Sequence, residues 1–262
     1  MNSTLLDISG VSVSLGGKSV LANVSLSVKP GEWVSIAGKN GAGKSTLLKC
    51  IMRIVKCDAG SMVFGGTPLS SLSQRALARQ IAYVPQATGR YSPFSVYEHV
   101  MLARYPYLKP FSAPSKFDRK MVLRCLDETG LLDLKDRFLS TLSGGERQKV
   151  YLAQAFAQEA KLLLLDEPNT FLDPRCVQEV LQLLKGANRE RGITIISVTH
   201  DINSAAVVSD RILALKDGLV EYEGDSASFM EATVLERVYN TAFSFVSHPQ
   251  NGLPLVLPWQ AV

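Results

Sequence analysis

The chain has 262 residues, 46% of them hydrophobic and 20% charged, the proportions of a soluble globular protein with a sizeable core. Its net charge of +4 is small and its basic residues are scattered, so composition gives no ground for nucleic-acid binding. No apolar run approaches the roughly 18–20 residues that cross a bilayer, and MNSTLLDISG lacks the order of an export signal, so any membrane role is expected to come through a partner.

Leu5–Leu15 and Val20–Val28 alternate apolar and polar residues, which predicts two strands with one wet face. Lys29-Pro30-Gly31 is a turn, and Glu32–Ala37 is a short apolar strand running into GKNGAGKST. A helix is expected over Ser45–Ile54, then strands at Gly60–Phe64 and Ile81–Val84 around a polar helix at Ser70–Gln80. From about Ala87 to Leu142 the texture changes, with aromatic and proline clusters (RYSPF, ARYPYLKPF) before a long helix around Ser115–Thr129. This reads as a helical insertion, about 87–160. After LSGGERQKVYLAQAF the earlier pattern resumes: strand Leu162–Leu165, helix Pro174–Arg189, strand Ile193–Val198, short helix Ile202–Val208 and strand Ile212–Leu215. Strands alternating with helices predict an α/β fold with a mostly parallel sheet. The body is expected to span 5–240, with the Pro-rich end HPQNGLPLVLPW an appendage over 241–262. Cys50, Cys57, Cys125 and Cys176 form no CxxC pair and sit at no metal-site spacing from a histidine, so reduced thiols are expected.

Gly38-Lys-Asn40-Gly41-Ala-Gly43-Lys44-Ser45-Thr46 fits G-x-x-x-x-G-K-[ST], with a strand before it and a helix after. Glycines let backbone N–H groups close around phosphate oxygens, helped by the positive end of the helix. Lys44 would reach the β- and γ-phosphates of ATP, and Ser45 offers a hydroxyl to Mg²⁺. Leu162-Leu-Leu-Leu-Asp166-Glu167 is an apolar strand ending in two carboxylates, carried to the sheet edge where ligands bind in open α/β folds. Asp166 suits the Mg²⁺ shell and Glu167 suits proton abstraction from an attacking water. The plainer reading of the two acids is a loop start or a helix cap.

A second glycine-rich helix start follows in LSGGERQ. Ser143 with Glu146 three residues on is a capping box, which needs no ligand. The box does not require Gly144-Gly145, however, and glycines there suit backbone approach to a bulky anion. Two anion-suited helix starts with one set of Mg²⁺ and base residues suggest half-sites. The economical arrangement is a symmetric head-to-tail dimer, each phosphate loop facing the partner's Ser143-Gly144-Gly145 with ATP between.

GKNGAGKST, LSGGERQ and LLLLDEP, in that order, resemble the ATP-binding-cassette (ABC) family over roughly residues 5–240. The resemblance implies a P-loop NTPase (RecA-like) core with an antiparallel β subdomain and an inserted helical subdomain. It also implies roles for further residues. Gln86 in YVPQ is similar to the glutamine that touches Mg²⁺ and water and links to the membrane partner, so it joins Glu167 among the catalytic candidates and Ser45 and Asp166 among the Mg²⁺ ligands. Leu172-Asp173 is similar to the loop that contacts nucleotide across the dimer, and His200 in VTHD to the histidine that contacts the γ-phosphate. Two positions depart from the family pattern: Leu15 stands where an aromatic usually stacks on adenine, and Asn169-Thr170-Phe171 replaces a small polar run. A lost stack is worth about 1–3 kcal/mol, so weaker or less base-selective nucleotide binding is expected.

The segment Tyr91–Lys109 carries Tyr91, Phe94, Tyr97, Arg104, Tyr105 and Tyr107, and reads as an exposed surface for the coupling helices of a permease, starting about Gln86; the plainer reading makes about half of these aromatics core packing of the insertion. SVYEHVMLARYPYL resembles the cassettes of iron–siderophore, haem and cobalamin importers. The resemblance implies an ATPase at the cytoplasmic face of the membrane, serving a separate permease and, indirectly, a substrate-binding protein, with no nucleic-acid partner. The alternatives are a soluble ABC ATPase acting in assembly or interaction, and a structural binder that does not turn ATP over.

Overall fold

The computed structural model describes residues 4–86, 93–248, 252 and 254–257. They fall into two compact units, 1–71 with 195–262 and 72–194.

The first unit opens with β1 (Leu6–Leu15) and β2 (Lys18–Val28), an antiparallel pair joined by a turn at Gly16 and Gly17. Leu6 and Ile8, then Val11 and Val13, are buried at alternate positions, with a register shift between the two pairs. β3 (Trp33–Ala37) is buried along its whole length and leads into α1 (Lys44–Ile51). The helix is shorter than the expected Ser45–Ile54, because Arg53 takes a left-handed φ of 56° and Ile54 N–H returns to the Lys49 carbonyl. β4 (Ala59–Phe64) and the two-residue β5 (Thr67–Pro68) complete an antiparallel sheet in the order β2-β1-β4-β5.

The expected helix Ser70–Gln80 is reduced to a 3-10 turn at Leu69–Ser71, which ends this stretch of the first unit, and to α2 (Gln74–Ala78) in the second. Ser73 accepts from Ala76 N–H and so starts a new helix instead of continuing the turn. β6 (Ile81–Val84) follows, then α3 (Val96–Met101), a helix absent from the sequence expectations. Its capping box, Ser95 with Glu98, was present in the sequence as S-x-x-E. α4 (Lys116–Glu128) and α5 (Gly144–Ala157) pack on α3, and β7 (Leu162–Asp166) and α6 (Pro174–Arg189) close the unit. β6 and β7 are parallel, with Val84 opposite Leu165.

Arg104 corrects the reading of 91–109 as an exposed surface. Its side chain is 2% exposed, donating to Asp118 Oδ1 (2.9 Å), the Ala157 carbonyl (2.7 Å) and Glu159 Oε2 (2.7 Å), over the Tyr107 ring at 4.1 Å. A guanidinium can sit at such depth because carboxylates and a carbonyl replace its water. Phe94 and Tyr105 are exposed, Tyr97 and Tyr107 half-buried, and Tyr91 lies outside the described residues.

The chain returns to the first unit through β8 (Thr194–Val198), α7 (Ile202–Val208) and β9 (Arg211–Lys216). Among the described residues five elements beyond the expected set or its bounds follow: β10 (Leu219–Gly224), α8 (Ser226–Phe229), α9 (Ala232–Tyr239), and the hairpin of β11 (Ser244–Ser247) and β12 (Pro254–Leu257). The strands of this unit run β10-β9-β3-β8, with β3 parallel to both β8 and β9. Burial on both faces explains why β3 and β8 read as mostly apolar runs. The polar exceptions are satisfied: Trp33 Nε1 donates to Ser197 Oγ at 2.9 Å, and the Ser35, Ser197 and Ser209 hydroxyls form a chain.

Candidate functional site

In the first unit the register decides what meets what. β3 and β8 pair with Ile36 opposite Val198, so Gly38 and His200, each two residues further on, leave adjacent parallel strands at the same edge. Thr199 N–H donates to the Ile36 carbonyl at 3.2 Å, which pins the chain immediately before the exposed His200. Gly38, Gly41 and Gly43 have φ of 129°, 83° and 100°. A Cβ at Gly38 would overlap the Leu215 carbonyl oxygen, and one at Gly43 the Val20 carbonyl and Leu21 side chain. Glycine is therefore required by both backbone and space. Lys44 is 5% exposed, with Nζ donating to the Gly38 and Lys39 carbonyls at 2.8 and 2.9 Å, so the ammonium lies across the mouth of the loop. No side chain caps α1 and no acidic residue lies in its first turn, where Ser45 and Thr46 sit. Asn40 is exposed, and Leu15 is 46% exposed at the end of β1. A cradle of close backbone, a positive helix end and a buried cation fits the triphosphate of ATP.

The second unit repeats the logic with side chains. β6 and β7 end in register, and two residues further on Gln86 Nε2 donates to Glu167 Oε2 at 2.9 Å. The same oxygen accepts from Thr170 Oγ1 at 3.0 Å. Glu167 has a left-handed φ of 50°, an uncommon state for a residue with a Cβ that these contacts help to hold. Asp166, 3% exposed, accepts from the Tyr83 hydroxyl at 3.1 Å. Burial first, then the Asp166 charge and hydrogen bond, push the Tyr83 hydroxyl well above its ordinary range, so it remains a neutral donor. Among the described residues no cluster of three or more His, Cys, Asp or Glu forms a metal site. Hydroxyl, amide and single-carboxylate donors are instead the hard-oxygen set that suits Mg²⁺ held largely by phosphate and water.

Ser143 caps α5. Its hydroxyl accepts from Glu146 N–H at 3.3 Å, and Glu146 Oε2 accepts from Ser143 N–H at 2.7 Å, which holds the Glu146 carboxyl below its ordinary range. Gly144 is exposed with nothing within 4 Å of an added Cβ, whereas a Cβ at Gly145 would overlap the Cys176 thiol. Gly145 thus has a packing reason that the sequence reading lacked. Asp173 caps α6 by accepting from Cys176 N–H at 3.0 Å. Phe171 is 87% exposed with φ of 65°, and nothing in the structure explains it. Sequence reasoning missed Tyr83, Thr170 and Tyr239, whose hydroxyl accepts from Gly38 N–H at 3.3 Å. No local signal marks Tyr83 or Tyr239, whereas Thr170 lies only three residues from Glu167, in the run noted as departing from the family pattern.

A phosphate loop in the first unit and a strand ending in two carboxylates in the second are the elements of a P-loop nucleotide hydrolase. The chain belongs to the ABC transporter family, whose model matches residues 21–170, and is an ATP-binding ATPase. It is 35% identical to the iron(3+)-hydroxamate import ATP-binding protein FhuC of Bacillus subtilis, across all of this chain and 97% of the relative. It is 33% identical to the ferric enterobactin transport ATP-binding protein FepC of Escherichia coli, across 98% of this chain and 96% of the relative. A chain of an inward-facing ABC transporter structure superposes with a TM-score of 0.86 at 23% identity over 98% of each, so the fold is the ABC ATPase fold. Among the described residues no helix is long and apolar enough to cross a membrane.

Proposed function

We propose that this chain is the ATP-hydrolysing subunit of an importer for a metal chelate, working as a head-to-tail dimer beside a separate membrane permease. The observation that carries the chemistry is the contact of Gln86 Nε2 with Glu167 Oε2. It orients a carboxylate that takes the proton of a water as the water oxygen attacks the γ-phosphorus and the β–γ bridging P–O bond breaks. His200 contacts the γ-phosphate, while Lys44 and the amides of residues 38–46 hold the phosphates. Ser45, Asp166 and the Gln86 side-chain oxygen are the groups that would hold Mg²⁺, which when bound neutralises charge on the phosphate oxygens. Tyr83 keeps Asp166 oriented, a positioning role.

The dimer follows from Ser143, Gly144 and Asp173, which lie at helix starts suited to an anion supplied by a second copy. Coupling to the permease runs through the region from about Gln86 to Lys109, with exposed Phe94 and Tyr105 the contacting side chains. The chelate is of the iron–siderophore type, within the wider class that includes haem and cobalamin. FhuC and FepC carry the names of different chelates at nearly equal identity to this chain, so cargo choice is assigned to the binding protein and permease. The membrane location, at the cytoplasmic face, comes through that permease.

Glu167→Gln tests the mechanism. Turnover falls by about 10²–10⁴-fold, while ATP binding survives and an ATP-dependent dimer accumulates in gel filtration. Undiminished hydrolysis would remove Glu167 from the reaction.

A further inference from the structure

The elements after β9 take no part in the chemistry proposed above, yet they meet the functional residues of the first unit at two points. The first is Gly38, whose N–H donates to the Tyr239 hydroxyl at 3.3 Å across 201 positions of sequence. Tyr239 closes α9, and its ring stands edge-on to Phe243 at 5.6 Å. Ala37, immediately before the loop, shares one apolar cluster with Leu235 and Val238 of α9. The second point is the chain around His200. Thr199 Oγ1 accepts from Asp201 N–H at 3.0 Å, and Asp201 caps α7.

α7 has seven residues and fully buries only Ala205 and Val208, with Ile202 and Ala206 partly buried against the same cluster, a small apolar face for a helix of two turns. Its additional tether is an amide clasp. Asn203 Nδ2 donates to the Val256 carbonyl at 3.0 Å, and Asn203 Oδ1 accepts from Val256 N–H at 2.8 Å. The side-chain amide therefore pairs with β12 as another peptide unit would. An aspartate keeps only the acceptor, so the pairing is specific to an amide. Val256 is itself buried in the cluster that contains Ala37 and Ala205.

We propose that Tyr239 and Asn203 are positioning residues, Tyr239 fixing the start of the phosphate loop for ATP binding and Asn203 fixing, for hydrolysis, the helix that follows His200. The proposal rests on the ATPase reading above. Reacting groups tolerate little displacement, and shifts of about 1 Å cost about 10²-fold. A helix that frays at α7 moves His200 without disturbing the phosphate cradle, so the two residues act on different quantities.

The test uses the full chain. Fluorescent-ATP binding, steady-state hydrolysis with Mg²⁺ and amide exchange without nucleotide are measured for Tyr239→Phe, Asn203→Asp, and Asn203→Asp combined with His200→Ala. Tyr239→Phe weakens ATP binding about fivefold, the worth of one neutral hydrogen bond, with kcat within about twofold. Asn203→Asp leaves ATP binding intact, speeds exchange of the α7 amides and lowers kcat about fivefold. In the His200→Ala background it lowers kcat no further, because its effect passes through His200. Unchanged binding in Tyr239→Phe overturns its part. An equal loss of turnover with and without His200, or unchanged exchange in α7, overturns that of Asn203. Failure of the ATPase reading looks different: the unsubstituted chain shows no turnover, or Glu167→Gln keeps it, and the binding and exchange results still judge the two residues.

Discussion

The two glycine-rich helix starts of this chain solve different problems. At the phosphate loop, Gly38, Gly41 and Gly43 all have positive φ, and Cβ atoms at Gly38 and Gly43 would meet backbone atoms that cannot yield. The helix that follows has no side-chain cap. At the second start, Gly144 and Gly145 lie within α5, and the helix end is already capped by Ser143 and Glu146. Gly145 makes room for the Cys176 side chain, and only Gly144 is without a neighbour. One loop is glycine-rich because its own backbone requires it. The other keeps a single glycine whose reason, in the proposed dimer, lies on another copy of the chain.

Substitutions sharpen this contrast. The largest effect is expected at Gly38. Gly38→Ala puts a Cβ against the Leu215 carbonyl in a conformation unfavourable to L-residues, and costs more than about 3 kcal/mol. Thermal melting and loss of ATP binding would show it, with no single compensating side-chain change. Gly145→Ala comes next, at about 1–3 kcal/mol. Because its obstacle is the Cys176 thiol, adding Cys176→Ala recovers most of the lost stability. A double variant no more stable than the single would mean that Cys176 is not the constraint.

The smallest effect on folding is the most informative about function. Gly144→Ala meets nothing within the chain and stabilises α5 by up to about 1 kcal/mol. If a second copy delivers nucleotide to that point, turnover nevertheless falls by at least about tenfold, or about 1.4 kcal/mol in the barrier. Wild-type hydrolysis in Gly144→Ala would leave this helix start a cap and nothing more.

The same contrast explains how much was legible beforehand. β3, β7 and β8 are fully buried and read as apolar runs, so their positions and the residues leaving their ends were evident. The capping boxes at Ser95 and Ser143 are local patterns; the second was read and the first, which starts α3, was overlooked. The expected helix at 70–80 failed because Ser73 competes locally for Ala76 N–H. Arg104 was placed on the surface because a lone arginine in an aromatic segment gives no hint of Asp118 and Glu159 around it.

Sequence by itself determined the chemistry that depends on neighbours along the chain: which turns must be glycine, where helices are capped, and which apolar strands end in Gly38, Asp166 and Glu167. Only the tertiary structure decided how those groups are aimed. Gln86 turns to Glu167, Tyr83 to Asp166, Tyr239 to Gly38 and Asn203 to Val256. The physical reason is that turn conformation, helix capping and the apolar pattern of a strand are set within a few residues. The direction of a hydroxyl or an amide is set by whichever donor or acceptor the folded chain brings beside it from tens to hundreds of residues away.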